Sequence, residues 1–425
     1  MTGTEKGRPS TGALILSMAP FVALYVCNTI PEGFILGTVL FKILNLQHAA
    51  STFIGGLFAS AIAIPWAFKP LWVWMVGADF LTHGRARKIF CVTTLGMGAT
   101  VALVPFAAEL GALPGLAVLL FCHNLLRSLQ DVVTDGLGVR EFHGKGQTAV
   151  QAVMRIAGTC GKLAGGALML YLQGKGFSLL AVCLFTGVLI VASGLLGAFL
   201  LGKEKSVETQ SAESVPTSMS FRVLLRALWD ATPGKLITLA LLSQIGGTFF
   251  VSTLTNGKML MVLGYTPKTA APLDTIFGGG ALIGAFAGLL LGILMSQRKL
   301  LTVGVLLVAV SHIVTGMLIG EWGTSLHLKA IVAMLAFGAG VYWVGLSSLL
   351  ASYTTKRYAA THFAAFMALL NLSGLVGKNL GGVTGLLAPT LPWQFVYPAM
   401  FILAGILSIL TLLPLPWLPP PKKEE

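Results

Sequence analysis

The chain has few charged residues for its length. Asp, Glu, Lys and Arg make up 10% of its 425 residues, whereas a soluble domain carries roughly 25%. A soluble protein of this size needs far more groups that bind water on its surface than this composition supplies. The shortage therefore excludes an ordinary soluble enzyme or binding domain.

The sequence also lacks the signatures of disulfide, metal and nucleotide chemistry. Its seven histidines show no metal-ligand spacing, and His123 is the one that merits a test. No Walker A, nucleophile-elbow or zincin motif is present. We predict no enzymatic activity, no cofactor and no metal site. The five cysteines all fall in apolar stretches and are interpreted as small core residues: Cys27, Cys91, Cys122, Cys160 and Cys183.

Long apolar stretches are what the chain has instead. Hydrophobic residues make up 55% of it, and the mean hydropathy is +0.85. A helix that spans a bilayer needs about 20 largely apolar residues. Twelve stretches meet this need: 12–41, 49–76, 89–108, 113–139, 148–172, 177–201, 236–262, 270–296, 300–320, 326–352, 360–387 and 394–417. We predict an all-α membrane protein with twelve transmembrane helices.

The positive charges indicate how the chain is oriented. The net charge is +13, and most of the 28 Lys and Arg residues fall in one set of alternating loops. The opposite loops hold chiefly Lys42, Lys175 and Lys268. Because Lys and Arg concentrate on the cytoplasmic side, both termini and the segment 202–233 are predicted to be cytoplasmic. The charge is thus explained without nucleic-acid binding.

An internal repeat is the most specific pattern in the sequence. Residues 154–166 of the fifth span and 370–382 of the eleventh share four glycines and a lysine at an offset of 216 residues, which pairs Lys162 with Lys378. The same offset pairs Lys42 with Lys258, and Arg140 with Lys356. The repeat predicts two pseudo-symmetric six-helix bundles, 1–201 and 234–425, joined by a linker at 202–233.

The repeated glycines form a stripe on one helix face. Gly158, Gly161 and Gly165 follow each other at spacings of three and four residues, which places them on one side of a helix. Such a stripe lets a neighbouring helix approach closely. It serves either packing alone or packing together with a rocking motion, and the sequence leaves both open.

Several charged side chains fall within the predicted spans. Each costs at least about 2.5–3.5 kcal/mol at membrane depth, so each is a functional candidate. Asp274 lies near an outer end. The candidates for the substrate or proton pathway are Glu32, Lys69, Arg127, Arg155, Lys162 and Lys378.

Glu32 is the predicted proton-coupling residue. It lies in the run Asn28-Thr-Ile-Pro31-Glu32-Gly33 of the first span, where Pro removes a backbone donor and Gly adds freedom. A kink or local unwinding is expected there. The alternative is a carboxylate held by Lys69, Arg155 or another basic partner.

The fourth span carries Arg127, Asp131 and Asp135 at intervals of four residues, on one helix face. We expect the two aspartates to act as gate residues that pair with Arg85, Arg87 or Arg140. The gate candidates are Asp79, Arg85, Asp131, Asp135 and Arg140.

The buried charges sum to an excess of positive charge. Lys69, Arg155, Lys162 and Lys378 outnumber their acidic neighbours, and unpaired buried cations are costly. An anionic solute bearing carboxylate, phenolate or phosphate groups would offset the excess. Alternatively, the two repeated lysines pair with Glu32 and the aspartates. Trp66 and Trp343 are the aromatic residues that fit a cavity lining.

Three motifs resemble those of AmpG-type permeases of the major facilitator superfamily. They are Phe68-Lys69-Pro70-Leu71-Trp72 with Asp79 and the basic loop 84–88, Gln130-Asp131-Val-Val-Thr134-Asp135-Gly136, and the Gly-rich run 155–166. The match in length is better with the RhtX/FptX and YbtX-like siderophore permeases. Two features depart from the pattern: the Asp79–Arg85 loop motif is irregular, and the corresponding loop at 297–299 lacks its Gly and Asp.

The resemblance implies a monomeric importer in the bacterial inner membrane. Its substrate would be a ferric siderophore or similar small, partly anionic solute, moved from periplasm to cytoplasm with protons by alternating access. A muropeptide or other AmpG-type solute, or efflux by antiport, remain alternatives. Lys162 stands where the antiporter pattern usually has proline, which disfavours efflux.

Overall fold

The structure is a computed structural model. It describes residues 11–34, 64–76, 83–109, 113–142, 144–201, 222, 226, 229–230, 232–254, 267–319, 325–354, 359–387 and 393–420. Lys42, Asp79, Lys258 and Lys356, which the sequence analysis singled out, lie outside these residues.

The described chain is helical and contains no β-strand within those ranges. The first half comprises α1 (Thr11–Phe34), α2 (Lys69–Val76), α3 (His83–Glu109), α4 (Leu113–Glu141), α5 (Lys145–Leu163), a π-helical turn (Ala164–Leu168), α6 (Met169–Gly174) and α7 (Leu179–Leu200). The second half comprises α8 (Gly234–Ser243), α9 (Ile245–Leu254), α10 (Pro267–Leu294), α11 (Gln297–Leu318), α12 (Ser325–Ser352), α13 (Ala359–Leu387), α14 (Trp393–Leu410) and a 3₁₀ turn (Leu415–Trp417).

Nine helical stretches in the described part of the chain are long and apolar enough to cross a membrane. They correspond to α3, α4, α7, the α8–α9 run and α10 to α14. Large apolar side chains on their outer surfaces are well exposed, among them Phe199 and Leu294. In water such a surface would be a liability, whereas lipid accommodates it.

Two predicted spans are interrupted. The fifth changes from α5 into the π-helical turn after Leu163, and the seventh breaks at Gln244, between α8 and α9. The break is stabilised because the backbone N–H of Gln244 donates to Ser373 Oγ at 3.0 Å. Apolar periodicity does not report such breaks, since the pattern continues across them.

The two halves repeat one packing arrangement. In the first, Gly158 of α5 lies against Tyr25 and Thr29 of α1; in the second, Gly374 of α13 lies against Gln244 and Thr248. The two glycines are 216 residues apart, but Thr248 follows Thr29 by 219. The offset of the fifth and eleventh spans therefore shifts by three residues in the first and seventh. By contact, the counterpart of Glu32 is Val251.

The halves meet along two lines of contact. α5 packs against α10 and α12, and α13 packs against α2 and α4. Gln297 Nε2 donates to Thr148 Oγ1 at 3.4 Å across the first line, and Ala364 joins the apolar cluster of Phe21 and Val73 across the second. These contacts lie toward the ends that the Lys and Arg distribution predicts to be cytoplasmic.

Candidate functional site

The site is built on a close crossing of α1 with α5 and the π-helical turn. A Cβ atom added to Gly165 would overlap the carbonyl oxygen of Ile30, and one added to Gly33 would overlap the carbonyl oxygen of Lys162. The two backbones therefore touch, as small residues allow in membrane helices. This crossing brings the neighbouring side chains of Glu32 and Lys162 together.

α1 stays helical through Pro31 and up to Phe34. Of the kink or local unwinding expected at Pro31, the unwinding was therefore wrong, and the kink stays a prediction. The turn before the proline is stabilised from outside the helix, because Arg127 Nε donates to the carbonyl oxygen of Asn28 at 2.8 Å. A neighbouring helix can satisfy backbone groups near a proline in this way.

Glu32 lies between two cations. Lys162 Nζ is 2.6 Å from Glu32 Oε1, and Arg127 Nη2 is 3.3 Å from Glu32 Oε2. The Glu32 side chain is 32% exposed and that of Lys162 is 41% exposed, whereas Arg127 is 5% exposed. Glu32 thus joins α4 to α5 through ion pairs, and this junction is open on the Lys162 side.

Arg127 is held rigidly. Besides Glu32 and Asn28, its guanidinium contacts Asn124, with Nη1 donating to Oδ1 at 3.2 Å. The guanidinium lies over the Trp66 ring, 4.8 Å from its centroid. The Trp66 indole in turn donates from Nε1 to Asn124 Oδ1 at 3.1 Å. With one hydrogen bond from each of its three nitrogens, Arg127 presents a fixed positive charge at this point of the site.

Polar residues to which the sequence analysis gave no role support this arrangement. Asn28 Nδ2 donates to the carbonyl oxygen of Arg127 at 2.9 Å and to Gln130 Oε1 at 3.2 Å. Gln130 Nε2 donates onward to Thr94 Oγ1 at 3.2 Å. All of these side chains are buried. Their signal in the sequence is an amide side chain within an apolar span.

Two further cations complete what we call the cation cluster: Arg127, Arg155, Lys162 and Lys378. Lys378 of α13 interacts electrostatically with both Glu32 and Lys162. Arg155 of α5 interacts electrostatically with Glu32 and stacks on Trp343 of α12, 4.2 Å from the ring centroid. One carboxylate therefore lies among four cations, two of which contact it.

A second charged group lies closer to the C-terminal end of α4, and we call it the aspartate pair: Asp131 and Asp135. Lys69 of α2 forms an ion pair with Asp131, and its Nζ is 3.9 Å from Asp135 Oδ2. The Tyr25 hydroxyl donates to Asp135 Oδ1. The predicted pairing of these aspartates with Arg85, Arg87 or Arg140 was wrong. Arg140 is exposed at the end of α4, whereas the packing of α2 on α4 brings Lys69 to the aspartates.

His123 is accommodated within the protein. It is buried, and its Nδ1 pairs with Thr100 Oγ1 at 2.7 Å, which links α4 to α3. Across the described residues, no cluster of three or more His, Cys, Asp or Glu side chains is arranged to hold a metal ion. The geometry therefore centres on charge pairs and aromatic rings.

Arg155 and Trp343 form a contact between the two halves. A stacked cation and aromatic ring contribute about 0.5–2 kcal/mol, so Trp343→Leu is expected to shift the equilibrium between open and closed states by roughly twofold to thirtyfold toward separation at this face. Spin labels on the ends of α5 and α10, read by pulsed electron paramagnetic resonance, would show a larger population of long distances. Trp417→Leu, at an exposed tryptophan, is the control; equal distance distributions in both variants would contradict the role of the stack.

Several solved transporter structures have a similar fold. The human organic anion transporter MFSD10 aligns with a TM-score of 0.71 at 16% identity, over 96% of this chain and 100% of that chain. The E. coli fucose:proton symporter FucP gives 0.68 at 15% identity, over 96% and 99%. The proton:xylose symporter XylE gives 0.67 at 13% identity, over 94% of each. At these identities the likeness shows the fold, which confirms the prediction of twelve helices in two bundles.

The sequence itself points the same way. No curated protein sequence matches this chain. The Major Facilitator Superfamily, however, matches residues 21–378. This match covers most of the 425 residues. It includes Arg127 and the aspartate pair on α4, and Lys162 and Lys378 of the repeat. The chain therefore belongs to the major facilitator superfamily, whose members are transporters.

Proposed function

We propose that the chain is a secondary active importer of a small, partly anionic solute of the ferric-siderophore type, driven by protons. In this proposal it acts as a monomer in the bacterial inner membrane with both termini in the cytoplasm. The observation that carries the proposal is the cation cluster around Glu32. Four cations surround one carboxylate at the place where the two halves meet.

The cation cluster favours an anionic ligand on electrostatic grounds. Removing cations from water is costly unless anions compensate them. Glu32 compensates two of them by contact. Lys162 is 41% exposed and Lys378 is also exposed, so both are accessible to a solute carrying carboxylate or phenolate groups.

The rings beside the cations favour a solute with flat groups. Trp66 lies under Arg127 and within 4.9 Å of Lys69, and Trp343 lies under Arg155. An aromatic anion such as a catecholate can contact both a ring and a cation. Ferric siderophores with catecholate or phenolate arms have this chemistry.

In this proposal Glu32 is a counter-ion that the solute displaces, which differs from the proton-coupling role predicted from the sequence. Its carboxylate contacts Lys162 and Arg127 at the same time. A proton on Glu32 would leave both cations without their counter-charge, which is unfavourable in a poorly solvated site. Displacement by an anion, in contrast, leaves them compensated.

The similar structures support the transport class. One is named as an organic anion transporter and two as proton symporters. In addition, this sequence lacks a Walker A motif, which fits an ion gradient as the source of energy. The contacts between halves, through Arg155, Thr148 and Ala364, are those that alternating access would break.

The test is uptake into proteoliposomes with an acidic exterior. The probes are a radioiron-labelled anionic ferric tris-catecholate, a radioiron-labelled ferric hydroxamate without net charge, and a labelled muropeptide. We expect accumulation of the anionic complex alone, and its loss when a protonophore collapses the gradient. Accumulation of the uncharged complex or the muropeptide instead, or transport driven in the opposite direction, would overturn the proposal.

A further inference from the structure

We propose that the aspartate pair, Asp131 and Asp135, holds one shared proton and is the protonation site of the transport cycle. The inference deepens the proposed function, because it assigns the coupling proton to a specific group. Its evidence is the geometry around Lys69, and it does not depend on the identity of the solute.

The first step is a count of charges within the pair. The two carboxyl groups flank one ammonium group, because Lys69 Nζ forms an ion pair with Asp131 and lies 3.9 Å from Asp135 Oδ2. Two ionised carboxylates beside a single buried cation repel each other, so one of them takes a proton. With that proton the pair and Lys69 sum to zero charge, and without it they carry one buried negative charge.

The second step is the exclusion of water. The side chains of Lys69, Asp131 and Asp135 are 1%, 9% and 3% exposed. Asp135 Oδ2 has no hydrogen-bond partner among the described residues, although its other oxygen accepts from Tyr25. A buried oxygen without a donor is costly as a carboxylate, whereas a protonated carboxyl group becomes a donor itself.

The other charged groups on the surrounding helices do not neutralise the second carboxylate in place of the proton. From α1 the pair is faced by the Tyr25 hydroxyl. On α4, Arg127 interacts electrostatically with Asp131 but is bound to Glu32. From α5, Arg155 interacts electrostatically with both aspartates and is stacked on Trp343.

The apolar cluster that contains Val132 and Val133 of α4 includes Ala86 and Phe90 of α3 and Ala364 of α13. The histidine next to this contact, His362, pairs through Nε2 with Thr232 Oγ1 at 2.7 Å. Among the described residues, Lys69 is therefore the cation in direct contact with the aspartates.

The same helix couples this proton to the cation cluster. Asp131 follows Arg127 by four residues, one turn along α4. A proton on the pair removes negative charge next to Arg127 and so raises the positive potential that an anionic solute meets. The solute, by thermodynamic reciprocity, raises the affinity of the pair for the proton. This linkage gives symport of a proton with an anion.

In transport the proton comes from water on the outer side and binds a carboxylate oxygen of the pair. It then leaves to water on the cytoplasmic side when the contacts of α13 with α2 and α4 open. No bond other than that between the oxygen and the proton forms or breaks. Lys69 remains the permanent cation.

Infrared spectroscopy of the full-length protein in lipid tests the assignment without a solute. A protonated carboxyl group has a carbonyl stretching band that a carboxylate lacks. We expect this band at neutral pH in the wild type, its loss in Asp131→Asn and in Asp135→Asn, and its retention in Glu32→Gln. Asp230→Asn is the matched control, since Asp230 is exposed and pairs with Arg226 in the linker.

Lys69→Met supplies a result that misfolding cannot mimic. Without the ammonium group both carboxyl groups are expected to take protons, so the band should grow about twofold. A band that persists in both aspartate variants, or that disappears in Glu32→Gln, would overturn the proposal. A correct band in a protein that fails to accumulate the ferric catecholate would refute the proposed function and leave the proton assignment intact.

Discussion

Lys162→Gln is expected to reduce the uptake of an anionic solute at least tenfold. A charge-assisted hydrogen bond contributes roughly 1.5–3 kcal/mol, which corresponds to about tenfold to hundredfold in affinity. Because the Lys162 side chain is 41% exposed, the lower end of that range applies. The measurement is the concentration dependence of ferric catecholate uptake into proteoliposomes, normalised to the amount of folded transporter.

The matched control is Lys175→Gln. Lys175 is exposed at the end of α6, 5.5 Å from the Tyr171 ring centroid and remote from the cation cluster. Its replacement changes the net charge by the same amount and should leave uptake unchanged. Unchanged uptake by Lys162→Gln at equal expression would show that Lys162 pairs with Glu32 and does not bind the solute. That result would refute the ligand role.

Glu32→Gln distinguishes a counter-ion from a proton carrier. A displaced counter-ion competes with the solute for Lys162 and Arg127, so its neutral replacement is expected to tighten binding about tenfold and to slow release. A proton carrier would behave differently: its replacement would abolish accumulation while exchange of solute across the membrane continued. Parallel assays of binding, exchange and accumulation on the one variant separate these results.

The sequence predicted the charged residues of the site but not their partners. Composition and membrane depth singled out Glu32, Lys69 and Lys162, since a charge in an apolar span is conspicuous. The partner of Asp131, in contrast, depends on which helices lie side by side. Spacing on α4 shows that Arg127, Asp131 and Asp135 share a face, but only the packing of α2 on α4 brings Lys69 to them.

The repeat was readable from sequence because glycine at a helix crossing has no substitute. Gly161 and Gly377 occupy equivalent crossings, against Thr29 and Thr248 respectively. The sequence did not predict that the offset is 216 residues between the fifth and eleventh spans but 219 between the first and seventh. The matched run of glycines lies only in the fifth and eleventh spans. The consequence is functional, since Val251 stands at the position of Glu32.

The two halves are therefore unequal in chemistry. Among the described residues, the buried charged side chains are Lys69, Arg127, Asp131 and Asp135, and all lie in the first half. The second half contributes Lys378 and the Trp343 ring to the cation cluster. We expect the first half to carry the proton chemistry and the second to close over the solute.

Gly165→Ala is expected to destabilise the protein strongly. The added Cβ would overlap the carbonyl oxygen of Ile30, which is backbone and cannot rotate away. α1 and the π-helical turn would have to separate, and overpacking of this kind costs roughly 1–3 kcal/mol. The measurement is thermal unfolding of the purified protein in detergent, in which the midpoint should fall by several degrees.

Gly247→Ala is the matched control for that change. Gly247 lies inside α9, and a Cβ atom there meets no neighbour within 4 Å. Alanine is favoured over glycine in a helix by roughly 0.5–1 kcal/mol, so the midpoint should stay level or rise. Equal losses in the two variants would show that the destabilisation does not come from the close crossing.

The same pair of variants decides what the glycine stripe does. If it serves packing alone, the molecules of Gly165→Ala that remain folded should transport as fast as the wild type. If the two helices also rock about the crossing, transport per folded molecule should fall, because the added methyl group obstructs the motion as well as the resting contact. The crossing lies directly beside the Glu32–Lys162 ion pair, so movement there would change the separation of the two charges. A loss of turnover in Gly165→Ala that lowering the temperature does not restore would therefore identify the crossing as a moving part of the transporter.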